Sequence, residues 1–357
     1  MFSGVEVNDG RQLELDVAKA FAVIFMITVH VFDHMTDMGG EVLPKVVEFL
    51  GCAPAAGVFM FAMGVGMVYT RHNSPKEFAF RGLKLLLMGY ILNFFRETLL
   101  VLVGNIFQIE NNYQDESLFS TLMTVDILQF AGISFLITAL LKKLNAKPYQ
   151  IFAVAIVLHA VGNLCVGLFE NAPETVQYPL GVLLFTNKET AFPGFQWYVY
   201  PAVGICFGTL LKHAADKDKF YGRMAVLSAA AVFCVTVGCI SADVKISDMF
   251  MTEAYYSQSL LTTLWCFSIV SLCIPVYYGI SKKIRGWALL AVKFISKNVN
   301  TIYILQWLVI TYTIAIMELL QIGVFHAVFG IPISIMTTAA CIAINIGLDR
   351  IKQKRKC

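Results

Sequence analysis

Asp16-Val-Ala-Lys19-Ala-Phe-Ala-Val-Ile-Phe-Met-Ile-Thr-Val-His30-Val-Phe-Asp33-His34 is long and apolar enough to cross a bilayer, yet it carries ionisable groups at both ends and a histidine deep in the run. At about 100° per residue, Lys19 and His30 lie roughly 20° apart around a helix axis. Asp16, Asp33 and His34 fall within about 60° of the same line. One polar stripe thus runs along an otherwise lipid-compatible rod. Charged groups inside a bilayer are costly, so the stripe is expected to face the protein interior or a watery cavity. Lys19 and His30 are separated by about 16 Å of helix at a rise of about 1.5 Å per residue.

The rest of the chain has the same character. Of its 357 residues, 58% are hydrophobic and 14% charged, and the mean hydropathy is +0.70. A soluble domain carries about 25% charged residues. The composition predicts an all-α, polytopic transmembrane helical bundle forming a single integral-membrane domain over 1–357, with a short N-terminal segment, 1–14, and a basic tail, 349–357. The first residues are polar and mixed in charge, and show no cleavable signal. The nine cysteines fall mostly singly in apolar runs, with no Cys-x-x-Cys pair, and read as small buried hydrophobes. Cys357 ends the chain and makes no prenylation motif.

Ten spans are predicted, at roughly 15–35, 46–70, 80–104, 119–141, 149–168, 196–212, 223–241, 259–280, 299–321 and 324–347. Trp287 to Lys297 reads as an amphipathic, interfacial piece before the ninth. With the N-terminus in the cytoplasm, all but Lys45, Arg96, Lys188 and Lys245 of the 27 lysines and arginines fall on the cytoplasmic side. That asymmetry matches the positive-inside rule and places both termini in the cytoplasm. The outer loops are acidic, with Glu97, Glu110, Asp115, Glu116, Glu170, Glu174, Asp243, Asp248 and Glu253. They also hold Tyr113, Tyr178, Phe195, Trp197, Tyr198, Tyr255 and Tyr256, which suit either a sugar-like ligand or an interfacial aromatic belt.

His30 is the strongest candidate for chemistry, because an imidazole can take and return a proton near neutral pH. Asp33, one turn on, is placed to fix its tautomer. Arg71, Lys76, Arg81 and Lys84 gather at the inner mouth of the second and third spans. With Lys19 they could hold the phosphates of a nucleotide-like molecule; positive-inside charge is the plainer reading. Gly64-Val-Gly66 is a weak phosphate loop and suits close helix packing better. Asp16, His34, Asn93, Arg96, Asp126, Gln129, Gln306 and Trp307 either line a cavity or bond between helices. His159, His213 and His326 are scattered without ligand spacing, so no metal is expected. No nucleic-acid motif is present. A secondary transporter with Asp16, Lys19 and His30 as an ion or proton relay is the alternative to an enzyme.

These stretches together resemble the transmembrane acyltransferase superfamily, which joins the acyltransferase-3 proteins to the heparan-α-glucosaminide N-acetyltransferase-like proteins. Arg11-Gln-Leu-Glu-Leu-Asp16-Val-Ala-Lys19-Ala20, running on to His30, is similar to the family's opening signature, with alanine at position 20 where glycine is usual. Ala53-Pro-Ala-Ala-Gly-Val-Phe-Met-Phe-Ala-Met-Gly64-Val-Gly66 resembles the second-span stretch, and Arg81-Gly-Leu-Lys84 the basic start of the third. Asp126-Ile-Leu-Gln129-Phe-Ala-Gly and Asn300-Thr-Ile-Tyr-Ile-Leu-Gln306-Trp307 resemble the fourth-span and late-span motifs. The order is that of the family, over most of the chain.

The resemblance implies an acyl-CoA donor, most often acetyl-CoA, docked by its phosphates on the inner basic mouth. It implies a hydroxyl or amine acceptor, such as a sugar or glycan, on the outer side. His30 would be the general base, held by Asp33 or a neighbour, or would carry the acyl group itself. The expected setting is a lipid bilayer, that of a bacterial cell membrane. Whether the chain forms a homo-oligomer is left open by its sequence.

Overall fold

The structure, a computed structural model, describes residues 2–37, 42–107, 117–169, 172–251 and 253–354. Glu110, Tyr113, Asp115, Glu116, Glu170, Arg355, Lys356 and Cys357 lie outside the described residues. Eight of the described helices are long and apolar enough to cross a membrane, by length and composition. In chain order these are α1 (Leu13–Met35), α2 (Val42–Tyr69), α3 (Pro75–Phe107), α5 (Pro148–Cys165), α7 (Lys217–Ser241), α8 (Leu260–Lys283), α10 (Val299–Leu319) and α11 (Gly330–Lys354). Two shorter apolar helices, α4 (Ile127–Lys143, 17 residues) and α6 (Val199–Lys212, 14 residues), stand where the fourth and sixth spans are expected. Helix α9 (Gly286–Lys297) is the piece predicted before the ninth span.

The fourth span starts later than its hydropathy predicts. Leu118–Met123 forms a short helix of its own, and Asp126 then caps α4 by accepting from the Ile127 amide at 2.6 Å. Gln129 closes the capping box on the Asp126 amide. The α4–α5 turn is set by Asn145 at φ 57°, with the Ala146 amide donating to Leu141 and the Asn145 amide to Lys142. Pro148 then opens α5, where its missing N–H costs nothing.

Inside a bilayer helices gain little from the hydrophobic effect on meeting, so close packing by small residues takes over. A Cβ on Gly64 would sit 2.0 Å from the Pro201 carbonyl oxygen, and one on Gly204 2.2 Å from that of Phe61. Gly64 is therefore where α2 and α6 touch backbone to backbone, which settles its role as packing. Gly82 and Gly132 do the same for α3 and α4, each Cβ position 2.8 Å from the other's carbonyl oxygen.

Helix α1 is the central post, packed against α2, α8, α9, α10 and α11. Its Val17, Ala18, Ala22, Ile27, Val31 and Phe32 are fully buried. Two spans contain a widened, π-helical turn: Cys52–Gly57 in α2 and Phe94–Thr98 in α3. In the first, Pro54 lacks an N–H and would clash in a regular turn, so the wider ring absorbs it. Both widened turns border the cavity that holds His30, through Cys52, Ala56 and Arg96.

Candidate active site

The start of α1 is fixed by ion pairs. Asp16 takes Arg11 Nε and Ser296 Oγ, each at 2.6 Å, which ties α1 to the N-terminal segment and to α9. Glu14, which the stripe did not single out, is buried with Lys217 and the Tyr221 hydroxyl, clamping α1 to α7. Lys19 stands free of both clusters. It lines two adjoining cavities, of about 980 and 470 Å³, which also share Met63, Arg81 and Phe135. Lys84 lines the larger and Arg71 the smaller.

Among the described residues, Lys19, Arg71, Arg81 and Lys84 pair with no carboxylate; Arg81 rests its guanidinium 4.5 Å over the Phe135 ring. Lysines and arginines without counter-ions around these two adjoining cavities fit an anionic ligand of several charges. The volume suits a large one. Glu77 also lines this mouth but is engaged by Ser74 and His72.

The third cavity, of about 450 Å³, holds His30. Ile127 lines both this cavity and the first. His30 stacks on Trp307, ring centroids 4.2 Å apart at 30°, and His34 meets the same indole edge-on at 5.7 Å. The Arg96 guanidinium lies 4.2 Å over the Trp307 ring. Arg96 is almost fully buried and is compensated by Glu97 at 2.7 Å and Asp126 at 3.2 Å. The α4 cap is thus also a counter-ion of the residue that braces Trp307.

Asp33 does not hold His30. It is exposed, lines the same cavity and makes no hydrogen bond to the ring. The polar partner of His30 Nδ1 is Gln306, whose Nε2 lies 3.4 Å away while its Oε1 is buried without a partner. Turning that amide by 180° places the oxygen on Nδ1, where it accepts the ring N–H and leaves Nε2 of His30 as the base. Of the two readings open for Asn93 and Gln129, cavity lining or bonding, the geometry shows bonding. Asn93 donates to the Leu122 and Thr124 carbonyls and Gln129 to that of Thr124, and neither lines these cavities. They hold the chain in front of α4.

The outer aromatics divide. Trp197, Tyr198 and Tyr178 are buried, and among the described residues of the group only Tyr255 and Tyr256 line the His30 cavity. Burial first, then Cys52 and the carboxylates of Asp33, Asp126 and Glu48, push the Tyr256 phenol well above its usual range, so it stays protonated. Two residues that the sequence reading did not single out for chemistry matter here. Glu48 of α2 lines the His30 cavity, and Tyr303 of α10 lines the basic one with its hydroxyl beside Asp126 and Trp307. Tyr303 lies one helical turn from Trp307, a spacing that could have flagged it. Among the described residues no group of His, Cys, Asp and Glu could hold a metal ion.

A helical bundle with a half-buried histidine on its central post, reached by one cavity and adjoined by another, is an integral, multi-pass membrane protein with an internal polar site. The chain belongs to the acyltransferase-3 family, whose acyltransferase-domain model matches residues 12–346. It is a membrane acyltransferase. No curated protein matches the chain.

Proposed function

We propose that the chain moves an acyl group, most simply acetyl, from acyl-CoA at the basic mouth to a hydroxyl or amine of a glycan-like acceptor in the His30 cavity. The observation that carries this reading is that Ile127 lines both cavities. Uncompensated cations line one, and an imidazole lines the other. Lys19, Arg71, Arg81 and Lys84 hold the donor's phosphates, and its arm runs along α1 for the roughly 16 Å between Lys19 and His30.

The acceptor O–H or N–H gives its proton to His30 as the nucleophile attacks the thioester carbonyl. The Tyr303 hydroxyl, held by Asp126 and Trp307, donates to the oxygen that becomes negative. The C–S bond then breaks, and the leaving thiolate takes the proton from the imidazolium, leaving CoA thiol and an acylated acceptor. Trp307 and Gln306 keep the ring in place. The positive-inside pattern supports a cytoplasmic basic mouth, so in this reading the acceptor is taken from the outer side of a bacterial cell membrane.

Purified protein in detergent is expected to cleave acetyl-CoA when sugar acceptors are supplied, with no gradient across a membrane. His30→Ala should lower turnover by at least about 100-fold while CoA binding persists. Protein that neither binds CoA nor cleaves the thioester with any acceptor overturns the reading.

A further inference from the structure

Helix α7 is the least buried of the eight long apolar helices among the described residues. Beside it lies a groove of about 670 Å³, walled by α7, α8 and Phe207 of α6. Its lining is apolar along Phe220, Leu227, Val235, Leu264 and Phe267. Leu227 is 71% exposed and Leu264 51%, so the groove opens outward, toward lipid. From Arg223 to Val235 it follows α7 for about 18 Å. One leaflet of a bilayer has a hydrocarbon depth of about 15 Å.

The polar groups of this groove gather at one end. Asp218 of α7 accepts from Lys282 and from the Tyr278 hydroxyl of α8, at 2.6 and 2.7 Å, so the two helices run antiparallel. Arg223 lies near that end of the α7 lining, and Ser271 is the last residue that α8 contributes to it. Two of the groove's serines, Ser228 and Ser268, donate to carbonyls of their own helices, those of Met224 and Trp265. Neither Ser271 nor Arg223 has a hydrogen-bond or ion-pair partner among the described residues. The other two bases of α7 are matched, Lys217 by Glu14 and Lys219 by Asp216. A free guanidinium, a free hydroxyl and then a leaflet's depth of apolar wall describe the outline of an amphiphile with a negative head. Arginine holds phosphate oxygens two at a time, and a base at the bilayer edge draws anionic headgroups.

We propose that this groove seats an anionic glycerophospholipid from the leaflet at the lysine- and arginine-rich end of the bundle. Its phosphate lies on Arg223, an ester oxygen takes the Ser271 hydroxyl, and one acyl chain runs along Leu227 to Val235. The lipid is neither donor nor acceptor, so the inference stands apart from the acyl-transfer reading. Its work is to fasten α7 to α8, and α7 in turn clamps α1 through Lys217 and Tyr221.

The test uses full-length protein stripped of lipid in a neutral detergent. It is titrated with phosphatidylglycerol and with phosphatidylcholine, whose ammonium offsets its phosphate. Bound lipid is counted by native mass spectrometry, and the melting midpoint is followed in parallel. Phosphatidylglycerol should bind at least about tenfold more tightly and raise the midpoint further. Arg223→Gln should remove most of that preference and Arg223→Lys should keep much of it. Lys283→Gln, at the same end but outside the groove, should leave it unchanged. Ala231→Phe, which fills the groove, should weaken binding of both lipids. Equal binding of the two lipids, a preference that survives Arg223→Gln, or one that falls as far in Lys283→Gln overturns the proposal. So does displacement of the lipid by glycerol phosphate, which has the head without the chains. If Ala231→Phe spares lipid binding and changes the oligomeric state instead, a second copy of the chain covers the groove and the proposal is lost.

Discussion

At His30 the geometry separates two jobs that sequence had merged. Gln306 reaches the ring and Asp33 does not. Gln306→Leu should lower kcat roughly tenfold or more and move the alkaline-side pH profile, with KM for the donor unchanged; steady-state kinetics across pH read both. Arg96 is buried between two carboxylates and against Trp307. Arg96→Ala leaves those acids uncompensated and should cost about 3–5 kcal/mol, seen as a lower melting midpoint in detergent. Arg96→Lys should rescue little, because a point charge cannot both lie on the indole and serve two acids. His30, Lys19, Arg81 and Lys84 were legible because the bilayer makes any inward charge informative. The His30–Gln306 pairing was not, because it joins residues 276 apart in sequence through the packing of α10 on α1. Glu48 was invisible for a plainer reason: one carboxylate near a span end looks like solvated charge until its cavity is seen.

The helices themselves were read well where hydropathy is long and unbroken, and less well where a polar cap interrupts it. Asp126 cut the fourth span short because its carboxylate satisfies the Ile127 amide, a local bond that averaging over a window conceals. Close contact at Gly64 gives a direct test. Gly64→Ala puts a methyl where the Pro201 carbonyl stands, and should destabilise by about 1–3 kcal/mol or prevent assembly of α2 on α6, read by thermal melting. At the exposed start of α7, Asp216 accepts the Lys219 amide, and that backbone hydrogen bond, more than the nearby Lys219 charge, holds its carboxyl below the usual range. The lowered value means the cap contributes fully above about pH 4 and is lost as pH falls through the folded value. Hydrogen exchange should therefore show the first turn of α7 fraying in acid, and Asp216→Asn, which caps without titrating, should remove that pH dependence.

Across the whole molecule, charge asymmetry carried more information than any motif. The basic cavity and the start of α1 lie at the end where the positive-inside pattern concentrates lysine and arginine. A single cysteine introduced at Asn145 should resist a membrane-impermeant thiol reagent applied to intact cells, while one at Val324 should react. Reaction at Asn145 alone would invert the orientation and, with it, the sides assigned to donor and acceptor. What composition could not supply was depth. Hydropathy says which segments lie in the bilayer, but not that one residue, Ile127, lines two hollows within it, since that depends on side chains from helices distant in sequence.

The widened turn at Phe94–Thr98 is in effect one surplus residue held inside a span. Removing a single position there would let the hydrogen-bond ladder close up, and everything beyond it would swing by about 100° relative to what precedes. Such a shortened chain would insert and fold with a more regular third rod, and the brace behind the indole would point elsewhere. Tidiness in that helix and competence in the enzyme are mutually exclusive.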